Sequence, residues 1–465
     1  MGSPNSSSLK ILYVCQVAPA TDLPPSTTTR LTLPLTFFDA RFFRFPPAER
    51  VYFYKLAESP LFFQSEILPT IKLSLSQTLL HFLPLAGHLT WPSDSSKPVI
   101  VYTPNDVVLL TVSESSADFD RLTSNEILEV AEPRQYIPEL IISETMASII
   151  ALQITLFSNR GFSIGIAMNH SVVDGKTASM FLKAWAHICK TKSISLLPEL
   201  TPSFDRSAIK DPNELEQFYL NQWKNIDSES NRRSVKLLPH LLGVSPNLSR
   251  ATFNLTRERI EKLREIVFSY HKNQVTESKP TKNLHLSTVV VICAYLSVCA
   301  VKARGGDTNR KVYILVPVDC RSRLNPPIPS NYFGNCLYVL NTVAEARIFM
   351  EENGVAIIAE KLSDSIQGLE TGKALFKEEK ERHGRMRGEG AAVQKVGITG
   401  SPLFKYYEED FGWGRPEKVE IVSIDRVNGV SLMDSRDGNG GVEIGMVLPR
   451  LEMESFASLF LQRLN

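Results

Sequence analysis

Two segments with different hydrophobic periods meet at Asn169-His170-Ser171-Val172-Val173-Asp174-Gly175. Before this stretch, apolar residues occupy alternate positions from 162 to 168, which predicts a half-buried strand leading to His170. After it, apolar residues recur between 180 and 188 at the three- and four-residue spacing of a helix. His170 therefore lies where a strand changes to a helix, so a rigid support can present its imidazole to a cleft. Gly175 suits a turn that needs positive φ.

The His-x-x-x-Asp spacing is a weak signal by itself. The chain contains eight His residues, and an Asp four positions after one of them is expected by chance about 0.4 times. A buried histidine with a carboxylate nearby is the structural alternative to a catalytic pair. The rest of the chain has to decide between the two interpretations.

Length and charge limit the class of protein. At 465 residues the chain is too long for one hydrophobic core, and strand and helix signals alternate along it. We predict a mixed α/β (α+β) fold with an N-terminal domain at 1–190, a crossover segment at 191–230 and a C-terminal domain at 231–465. Fifty-one basic and 50 acidic residues give a net charge of +1. Such balance provides no global field that would attract nucleic acid or an anionic membrane.

Cysteine spacing and short apolar runs indicate the compartment. The six cysteines show no Cys-x-x-Cys spacing, which predicts neither a metal site nor a disulfide framework and favours a reducing compartment. The apolar run at 11–15 is too short for a signal peptide, and that at 289–301 is too short to span a membrane. Gly2 and Ser6 match a myristoylation pattern without a second membrane signal. We therefore expect a cytoplasmic monomer with small-molecule partners.

Periodicity also predicts the main elements. Strands are expected at 11–17, 51–55, 149–157 and 312–318 and around Ile421 and Ile444, with a turn at 159–161 that pairs 149–157 with the strand before His170. Helices are expected at 67–82, after the His170 stretch up to about Lys190, at 256–270, from Ser287 or Thr288 to Ala303, and at 453–461. Residues 343–383 are expected to form a charged helical region.

Several separated motifs resemble one family. The two main motifs are His170-x-x-x-Asp174-Gly175 and, far downstream, Asp410-Phe411-Gly412-Trp413-Gly414. Two further landmarks are Leu83-Pro84-Leu85-Ala86-Gly87 and Asp319-Cys320-Arg321-Ser322-Arg323. In this combination and order the chain resembles the BAHD acyltransferases, plant enzymes that move an acyl group from a coenzyme A thioester to a hydroxyl or an amine. Three further stretches, at 332–336, 35–39 and 432–438, are similar to the malonyltransferases of phenolic and flavonoid glucosides.

The resemblance implies a fold, a donor and an acceptor. The implied fold is similar to chloramphenicol acetyltransferase: two domains of mixed sheets with flanking helices, and an active-site channel at their interface. The implied donor is malonyl-CoA as a co-substrate, with no permanently bound cofactor and no metal. The implied acceptor is a sugar hydroxyl of a phenolic or flavonoid glucoside, whose identity the sequence leaves open.

The chemistry of the reaction assigns a role to His170. A thioester is already activated, whereas a sugar hydroxyl is scarcely ionised at neutral pH. A neutral imidazole can remove the hydroxyl proton during attack and return it to the departing thiolate, which contributes typically about 10² to 10⁴ in rate. We expect this direct mechanism without an acyl-enzyme, and therefore not a covalent role for Cys320 beside Arg321. Asp174 either orients the imidazole or forms an ion pair with Arg321 or Arg323, and the resemblance favours the ion pair.

The remaining candidate residues each have a structural alternative. By resemblance Thr399 faces the acyl centre, where an oxyanion needs donors, although it equally suits an ordinary loop. Lys279, Lys282, Ser287 and Thr288 surround a predicted helix start, which can bind the phosphates of CoA or can simply be a solvated, capped helix. Lys176 or Arg160 would bind the malonyl carboxylate. The tight Asp410–Gly414 turn is interpreted as structural.

Three other functions stay open. A hydroxycinnamoyl-CoA donor would require a wide apolar pocket instead of a cation near the acyl terminus. A non-catalytic metabolite-binding relative is disfavoured by the intact His170 motif. A condensation-type domain shares a similar motif but normally lies among other modules.

Overall fold

The computed structural model describes residues 9–20, 30–211, 213–224, 233–238, 241–245, 247–273, 284, 286–369, 375–388 and 393–462. The predicted myristoylation motif lies outside these residues. The strands are β1 (Leu9–Val17), β2 (Leu31–Pro34), β3 (Ala48–Lys55), β4 (His88–Thr90), β5 (Val99–Tyr102), β6 (Val108–Ser115), β7 (Leu128–Glu129), β8 (Met146–Ser148), β9 (Ile150–Phe157), β10 (Gly161–Met168), β11 (Leu248–Leu255), β12 (Lys311–Asp319), β13 (Leu337–Glu345), β14 (Gln394–Gly400), β15 (Lys418–Ile421), β16 (Val430–Asp434) and β17 (Val442–Pro449).

The helices cover both halves of the chain. They are α1 (Phe37–Ala40), α2 (Pro60–Phe62), α3 (Leu68–His81), α4 (Leu83–Ala86), α5 (Phe119–Thr123), α6 (Ala131–Arg134), α7 (Gly175–Thr191), α8 (Leu215–Lys224), α9 (Arg257–Asn273), α10 (Thr288–Arg304), α11 (Ala346–Met350), α12 (Gly354–Gln367), α13 (Glu379–Gly388) and α14 (Arg450–Gln462). Within the described part of the chain, no helix combines the length and the apolar composition that a membrane crossing requires.

Two large mixed sheets organise the molecule. The first has the order β1-β6-β9-β10-β3-β15, and the second has the order β13-β12-β14-β16-β17-β11-β7. A smaller sheet has the order β2-β5-β4-β8. Strand β15 belongs to the C-terminal half but pairs with β3, while β7 belongs to the N-terminal half but pairs with β11. Each half therefore completes the sheet of the other, and the boundary at 191–230 remains a prediction.

The hairpin before His170 is present as predicted but is more buried than predicted. Strands β9 and β10 pair antiparallel from Ile150↔Met168 to Phe157↔Gly161, and every residue of both strands is buried. The small residues on the second face of β10 allow this. A Cβ on Gly165 would lie 1.7 Å from the carbonyl oxygen of Tyr136, so the chain at Tyr136 packs directly on that face. The alternation of large and small residues thus reflects packing on both faces, with no exposed one.

One predicted helical region is wrong at its start, and several strands, among them β11, β14 and β16, were not predicted. The stretch 343–383 begins inside β13, which pairs with β12 over nine residue pairs, and only then continues as α11 and α12. Strand β14 was not predicted because its short, glycine-containing sequence has little strand character. It forms because it lies parallel to both β12 and β16, and such non-local pairing leaves no local pattern in the sequence.

Candidate active site

His170 lies in a short turn between β10 and α7. The backbone N–H of Asn169 donates to the carbonyl of Ile149 (2.8 Å), beside the start of β9. The Asn169 side chain accepts from the backbone N–H of Ser171 (3.0 Å), and the N–H of Val172 donates to the Asn169 carbonyl (3.0 Å). These hydrogen bonds hold the backbone on both sides of His170, so the imidazole is presented from a rigid support.

The His170 ring is half-buried against two aromatic side chains. Phe42 stacks on it with 4.3 Å between ring centroids and 10° between planes, and Phe45 meets it edge-on at 5.7 Å. Its Nδ1 is buried and has no hydrogen-bond partner among the described residues. Burial lowers the pKa of His170 below its ordinary value, although the charge of Asp174 partly opposes this effect. The imidazole is therefore neutral near pH 7, which is the form that accepts a proton.

Asp174 is fully engaged in structural contacts. Its Oδ1 accepts from the N–H of Thr177 (2.8 Å) and so caps the N-terminus of α7. Its Oδ2 pairs with Nη1 of Arg321 (2.9 Å) and accepts from the N–H of Cys336 (3.1 Å). Burial alone would lower the pKa of Arg321, but Asp174 and Asp319 outweigh it and leave the pKa above its ordinary value. The predicted ion pair is present, with Arg321 as the partner.

Asn335 connects the turn to the other half of the chain. Its Nδ2 donates to the backbone carbonyl of His170 (2.9 Å) and to Oδ1 of Asp39 (3.1 Å), while its own backbone N–H donates to the same Asp39 oxygen (2.9 Å). Asp39 in turn pairs with Arg206 (2.9 Å). The stretches at 332–336 and 35–39, which both resemble glucoside malonyltransferases, are therefore joined by hydrogen bonds and hold the backbone of His170 in place.

Gly175 is required for a reason other than the predicted positive φ. Its φ is not in the left-handed region, but a Cβ there would lie 2.9 Å from the ring of Phe404 and 3.7 Å from Nη2 of Arg50. Arg50 lies over the ring of Tyr406 at 4.9 Å, and its Nη1 is buried without a hydrogen-bond partner among the described residues. The glycine thus permits the start of α7 to approach these side chains closely.

A cavity of about 610 Å³ opens beside the start of α7, between the two halves of the chain. Two residues that the sequence suggested for the site, Thr399 and Lys176, both line this cavity, although they come from opposite halves of the chain. Lys176 forms an ion pair with Asp319 (2.9 Å) and is about one-third exposed. The other residues that line the cavity are Gly175, Ser179, Met180, Lys183, Glu199, Leu200, Pro317, Asp319, Ser330, Leu337, Gly400, Ser401, Leu403 and Phe404.

The residues predicted to bind CoA phosphates lie elsewhere. Ser287 caps α10 by accepting from the N–H of Val290 (3.3 Å), and Oγ1 of Thr288 accepts from Arg264 (3.3 Å). Neither residue lines the cavity beside Thr399. Arg264 is a cation at this helix start that the sequence analysis did not identify. Lys279 and Lys282 lie outside the described residues.

The Arg160 alternative for the malonyl carboxylate is wrong. Arg160 lies in the turn before β10, at the end of that strand opposite to His170, and it pairs with Asp120. Eight strand residues separate the two ends, which corresponds to roughly 26 Å. The hairpin pattern alone could not show this, because it does not state which end of the strand reaches the cleft.

The Asp410–Gly414 turn is a packing element. Oδ1 of Asp410 accepts from the N–H groups of Gly412 (2.8 Å) and Gly414 (3.0 Å), and Oδ2 pairs with Lys190 near the end of α7 (2.7 Å). Gly412 and Gly414 have φ of 109° and 104°, which side-chain-bearing residues rarely adopt. The structural interpretation of this motif therefore fits its geometry.

Phe411 shows how the turn is anchored. Its buried ring meets Trp185 edge-on at 5.0 Å between centroids, and meets Tyr54 at 5.8 Å. The turn thus packs against α7 and β3.

The surroundings of Cys320 do not activate its thiol. Burial raises the pKa of the Cys320 thiol to about 12, so this thiol is not an activated nucleophile. No group of His, Cys, Asp and Glu side chains in the described ranges is arranged to hold a metal ion.

Four residues around the site were missed or given no role by the sequence analysis. Phe42, Arg50 and Asn335 surround His170 or support its turn, and Lys183 lines the cavity. A signal existed for two of them. Arg50 is a charge at an inward-facing position of the buried strand β3, and Lys183 interrupts the apolar stretch of α7.

Comparison with known proteins agrees with the motifs. Residues 19–462 match the family model described as the Transferase family. The chain is 44% identical to phenolic glucoside malonyltransferase 1 of Arabidopsis thaliana, covering 97% of each chain. It is 42% identical to malonyl-CoA:anthocyanidin 5-O-glucoside-6''-O-malonyltransferase of the same plant, covering 98% of each. It is also 40% identical to agmatine coumaroyltransferase of Arabidopsis thaliana, covering 97% of this chain and 98% of that protein.

A solved structure supports the same fold. The crystal structure of vinorine synthase matches 97% of this chain and 98% of that protein with a TM-score of 0.70 at 22% identity. This similarity confirms the predicted two-domain mixed α/β architecture. The match over residues 19–462 and the identities of 42% and 44% over nearly the whole chain show that the chain belongs to the Transferase family, the BAHD acyltransferases.

Proposed function

We propose that this enzyme transfers malonyl from malonyl-CoA to a sugar hydroxyl of a phenolic or flavonoid glucoside. The observation that carries the proposal is the half-buried His170 on a rigid turn that leads directly into α7, whose first residues Gly175 and Lys176 line a cavity shared by both halves of the chain. The malonyltransferase relatives named above support the donor and the class of acceptor.

His170 acts as the general base in this proposal. Its neutral imidazole accepts the proton of the sugar hydroxyl while the hydroxyl oxygen forms a bond to the thioester carbonyl carbon. The resulting oxyanion then collapses, the carbon–sulfur bond breaks, and the imidazolium returns the proton to the thiolate of CoA. Thr399, which lines the cavity, is proposed to donate to the oxyanion. Asp174 serves as a positioning residue, because all of its contacts hold the turn and α7.

The donor is proposed to be held at two places. Ser287 and Thr288 at the start of α10, together with Lys282, would bind phosphates of CoA. Lys176 would bind the malonyl carboxylate, since it lines the cavity one residue after Gly175. Binding there requires that the carboxylate share or replace the ion pair with Asp319.

A hydroxycinnamoyl donor is the second candidate. The relative named agmatine coumaroyltransferase supports it, because a protein 40% identical to this chain carries a different acyl group and an amine acceptor in its name. Such a donor has no carboxylate at its acyl terminus, so it would leave the ion pair between Lys176 and Asp319 undisturbed.

A donor and acceptor panel tests the proposal. Purified enzyme would be supplied with malonyl-CoA, acetyl-CoA or coumaroyl-CoA against a phenolic glucoside, a flavonoid glucoside and agmatine, with products identified by mass spectrometry. We expect malonylated glucosides to dominate. Dominant coumaroyl transfer, or acylation of agmatine alone, would reject the proposed donor or acceptor.

A His170→Ala variant tests the mechanism on the same panel. It should fold with a wild-type melting profile and lose about 10² or more in kcat, because the base is removed while the surrounding aromatic contacts can close over the gap. Transfer at near the wild-type rate would contradict the assignment.

We also infer that the enzyme works as a cytoplasmic monomer. All six cysteines are free, which suits a reducing compartment. Light scattering on purified protein and the distribution of a fluorescent fusion in plant cells measure the two properties separately.

A further inference from the structure

One wall of the cavity is a single face of α7. Gly175, Lys176, Ser179, Met180 and Lys183 all line the cavity, and they recur at the three- and four-residue spacing of one helix face. Lys183 lies seven residues beyond Lys176, about 10 Å further along the helix at 1.5 Å per residue. The cavity therefore has a lysine at each end of this face, one beside the start of α7 and one two turns away.

The two lysines differ in their partners. Lys176 is neutralised by its ion pair with Asp319 (2.9 Å). Lys183, which is half-buried, forms no ion pair and no hydrogen bond within the described part of the chain. Its positive charge therefore faces the cavity without a direct counter-charge.

Glu409 and Glu199 are the acidic groups to be weighed against Lys183, and neither forms an ion pair with it in the described residues. Burial raises the pKa of Glu409 well above its ordinary value, although Lys183 and Arg50 act in the opposite direction, and neither carboxyl oxygen has a hydrogen-bond partner in the described residues. Neither carboxyl oxygen of Glu409 lies within ion-pair distance of Lys183 in the described part of the chain. Glu199 also lines the cavity but is exposed, so solvent screens its charge.

Distance decides which substrate could reach Lys183. A malonyl group has one carbon between its reacting carbonyl and its carboxylate, so that carboxylate stays near Lys176 and Thr399. The phosphates of CoA are separated from the reacting carbon by the whole pantetheine arm, and the helix start proposed to bind them does not line this cavity. An aglycone extends from the reacting sugar by about the length of an aromatic ring, and Met180, Leu200 and Phe404 provide apolar walls for such a ring.

We propose that Lys183 binds an anionic group, above all a carboxylate, on the aglycone of the acceptor. The preferred acceptors are therefore glucosides of phenolic acids, in which the sugar lies toward His170, the ring lies between the apolar walls, and the acidic group reaches the second lysine. This inference rests on the proposed function, because it assumes that a phenolic glucoside occupies the cavity.

A matched pair of acceptors tests the inference. The glucoside of a hydroxybenzoic acid and the glucoside of its methyl ester differ only in the charge at the position that Lys183 would bind. The wild-type enzyme should show a higher kcat/KM for the acid. A Lys183→Met variant should lose on the order of tenfold in kcat/KM for the acid, mainly through KM, and should leave the ester unchanged, because one contact to a charged group is removed.

Charge variants provide the controls. Lys183→Arg should retain most of the preference for the acid, and Lys183→Glu should reverse it, whereas Glu199→Gln should increase it. Lys361→Met removes a half-buried lysine on α12 that does not line the cavity and should leave both acceptors unchanged. Equal losses for acid and ester in Lys183→Met, or no acid preference in the wild-type enzyme, would overturn the inference.

A comparison of two donors tests whether Lys183 binds the acceptor or the donor. The ratio of kcat/KM for malonyl-CoA to that for acetyl-CoA should be the same in the wild-type enzyme and in Lys183→Met. A lower ratio in the variant would show that Lys183 binds the carboxylate of the donor, which would reject the assignment to the acceptor.

A failure of the proposed function can be told apart from a failure of the inference about Lys183. If coumaroyl-CoA proves to be the donor, the acid and ester are compared with that donor and the inference is still decided. If no glucoside is acylated, the proposed function fails, and calorimetric titration of wild-type and Lys183→Met protein with the two glucosides decides whether the cavity prefers the acid.

Discussion

His170 and Asp174 lie four residues apart, yet their side chains meet different neighbours. The His170 ring packs against Phe42 and Phe45, whereas both oxygens of Asp174 are committed to Thr177, Arg321 and Cys336. The surroundings of His170 therefore fit its proposed role as the base, and Asp174 holds the turn that carries it. This division of roles leads to two predictions for single residues.

The first concerns the pH dependence of kcat/KM. Because burial lowers the pKa of His170, the base stays unprotonated at lower pH than an ordinary imidazole, and the rising limb of the profile should have its midpoint below about 6.5. Phe42→Ala should expose the ring to water and move the midpoint upward, toward the ordinary value. A midpoint that stays fixed in Phe42→Ala would argue against burial as the cause.

The second concerns Asp174→Asn. The change leaves the buried guanidinium of Arg321 with less compensation, since the two side chains are 0% and 2% exposed. We expect a loss of about 3 kcal/mol in the free energy of unfolding, together with lower turnover. Urea unfolding and steady-state kinetics on the same preparations measure both. A variant of unchanged stability that lost only turnover would instead support an orienting role for Asp174 on the imidazole.

At the scale of elements, α7 is held at both ends by groups distant in sequence. Asp174 caps its first turn and contacts Arg321, while Lys190 in its last turn pairs with Asp410. The Asp410 turn then packs Phe411 on Trp185 of the same helix. Helix α7, with the cavity on one face, is thus fixed relative to the C-terminal half.

An Asp410→Ala variant tests the structural role of this turn. It removes two hydrogen bonds from backbone N–H groups and one ion pair, so we expect a loss on the order of 2 kcal/mol in stability. Turnover at temperatures where the variant remains folded should change little. A large fall in kcat without a fall in melting temperature would contradict this expectation.

The pH dependence of stability checks the same contacts. Burial would raise the pKa of Asp410, but Lys190 and the N–H groups of Gly412 and Gly414 outweigh it and keep the pKa below its ordinary value. A lowered pKa means that the folded state favours the charged form. The contribution of Asp410 is therefore present above the ordinary pKa and is lost as the pH falls through the lowered one. The difference in stability between wild type and Asp410→Ala should shrink in that acidic range.

At the scale of the whole molecule, the two halves are joined by exchanged strands and buried charges. Arg250 pairs with Glu420 (2.7 Å) and with Asp425 (2.9 Å), and Arg134 pairs with Asp425 (3.1 Å) and with Glu49 (3.0 Å). The network reaches from β3, in the first large sheet, to β11 in the second. It therefore couples the halves whose interface forms the cavity.

Arg250→Met should show the cost of breaking this network. The side chain is buried, and its removal leaves carboxylates in the interior without their partner, so we expect a loss of about 3 to 5 kcal/mol in stability and a single, earlier unfolding transition. The matched control is Arg450→Met, which removes an exposed pair with Glu454 and should barely change stability. Equal melting temperatures for the two variants would contradict the structural importance of the network.

The sequence was sufficient where a pattern is local. Apolar residues at alternate positions predicted β10, the turn at 159–161 predicted its partner β9, and helical patterns predicted α3, α7 and α10 within a few residues. The order of the motifs identified the family and pointed to His170 as the base. Local sequence patterns could not predict β14, or the strand that begins the region at 343–383, because those strands depend on partners far along the chain.

Amino-acid order by itself thus determined the family and the elements with strong local patterns, and it predicted His170 as the base. Tertiary structure alone decided that Arg160 pairs with Asp120 and that Lys176 and Thr399 line one cavity. It also decided that Gly175 is needed for close approach to Phe404. The physical reason is that burial, ion pairing and cavity shape arise from contacts between distant segments, whereas periodicity reports only on neighbours along the chain.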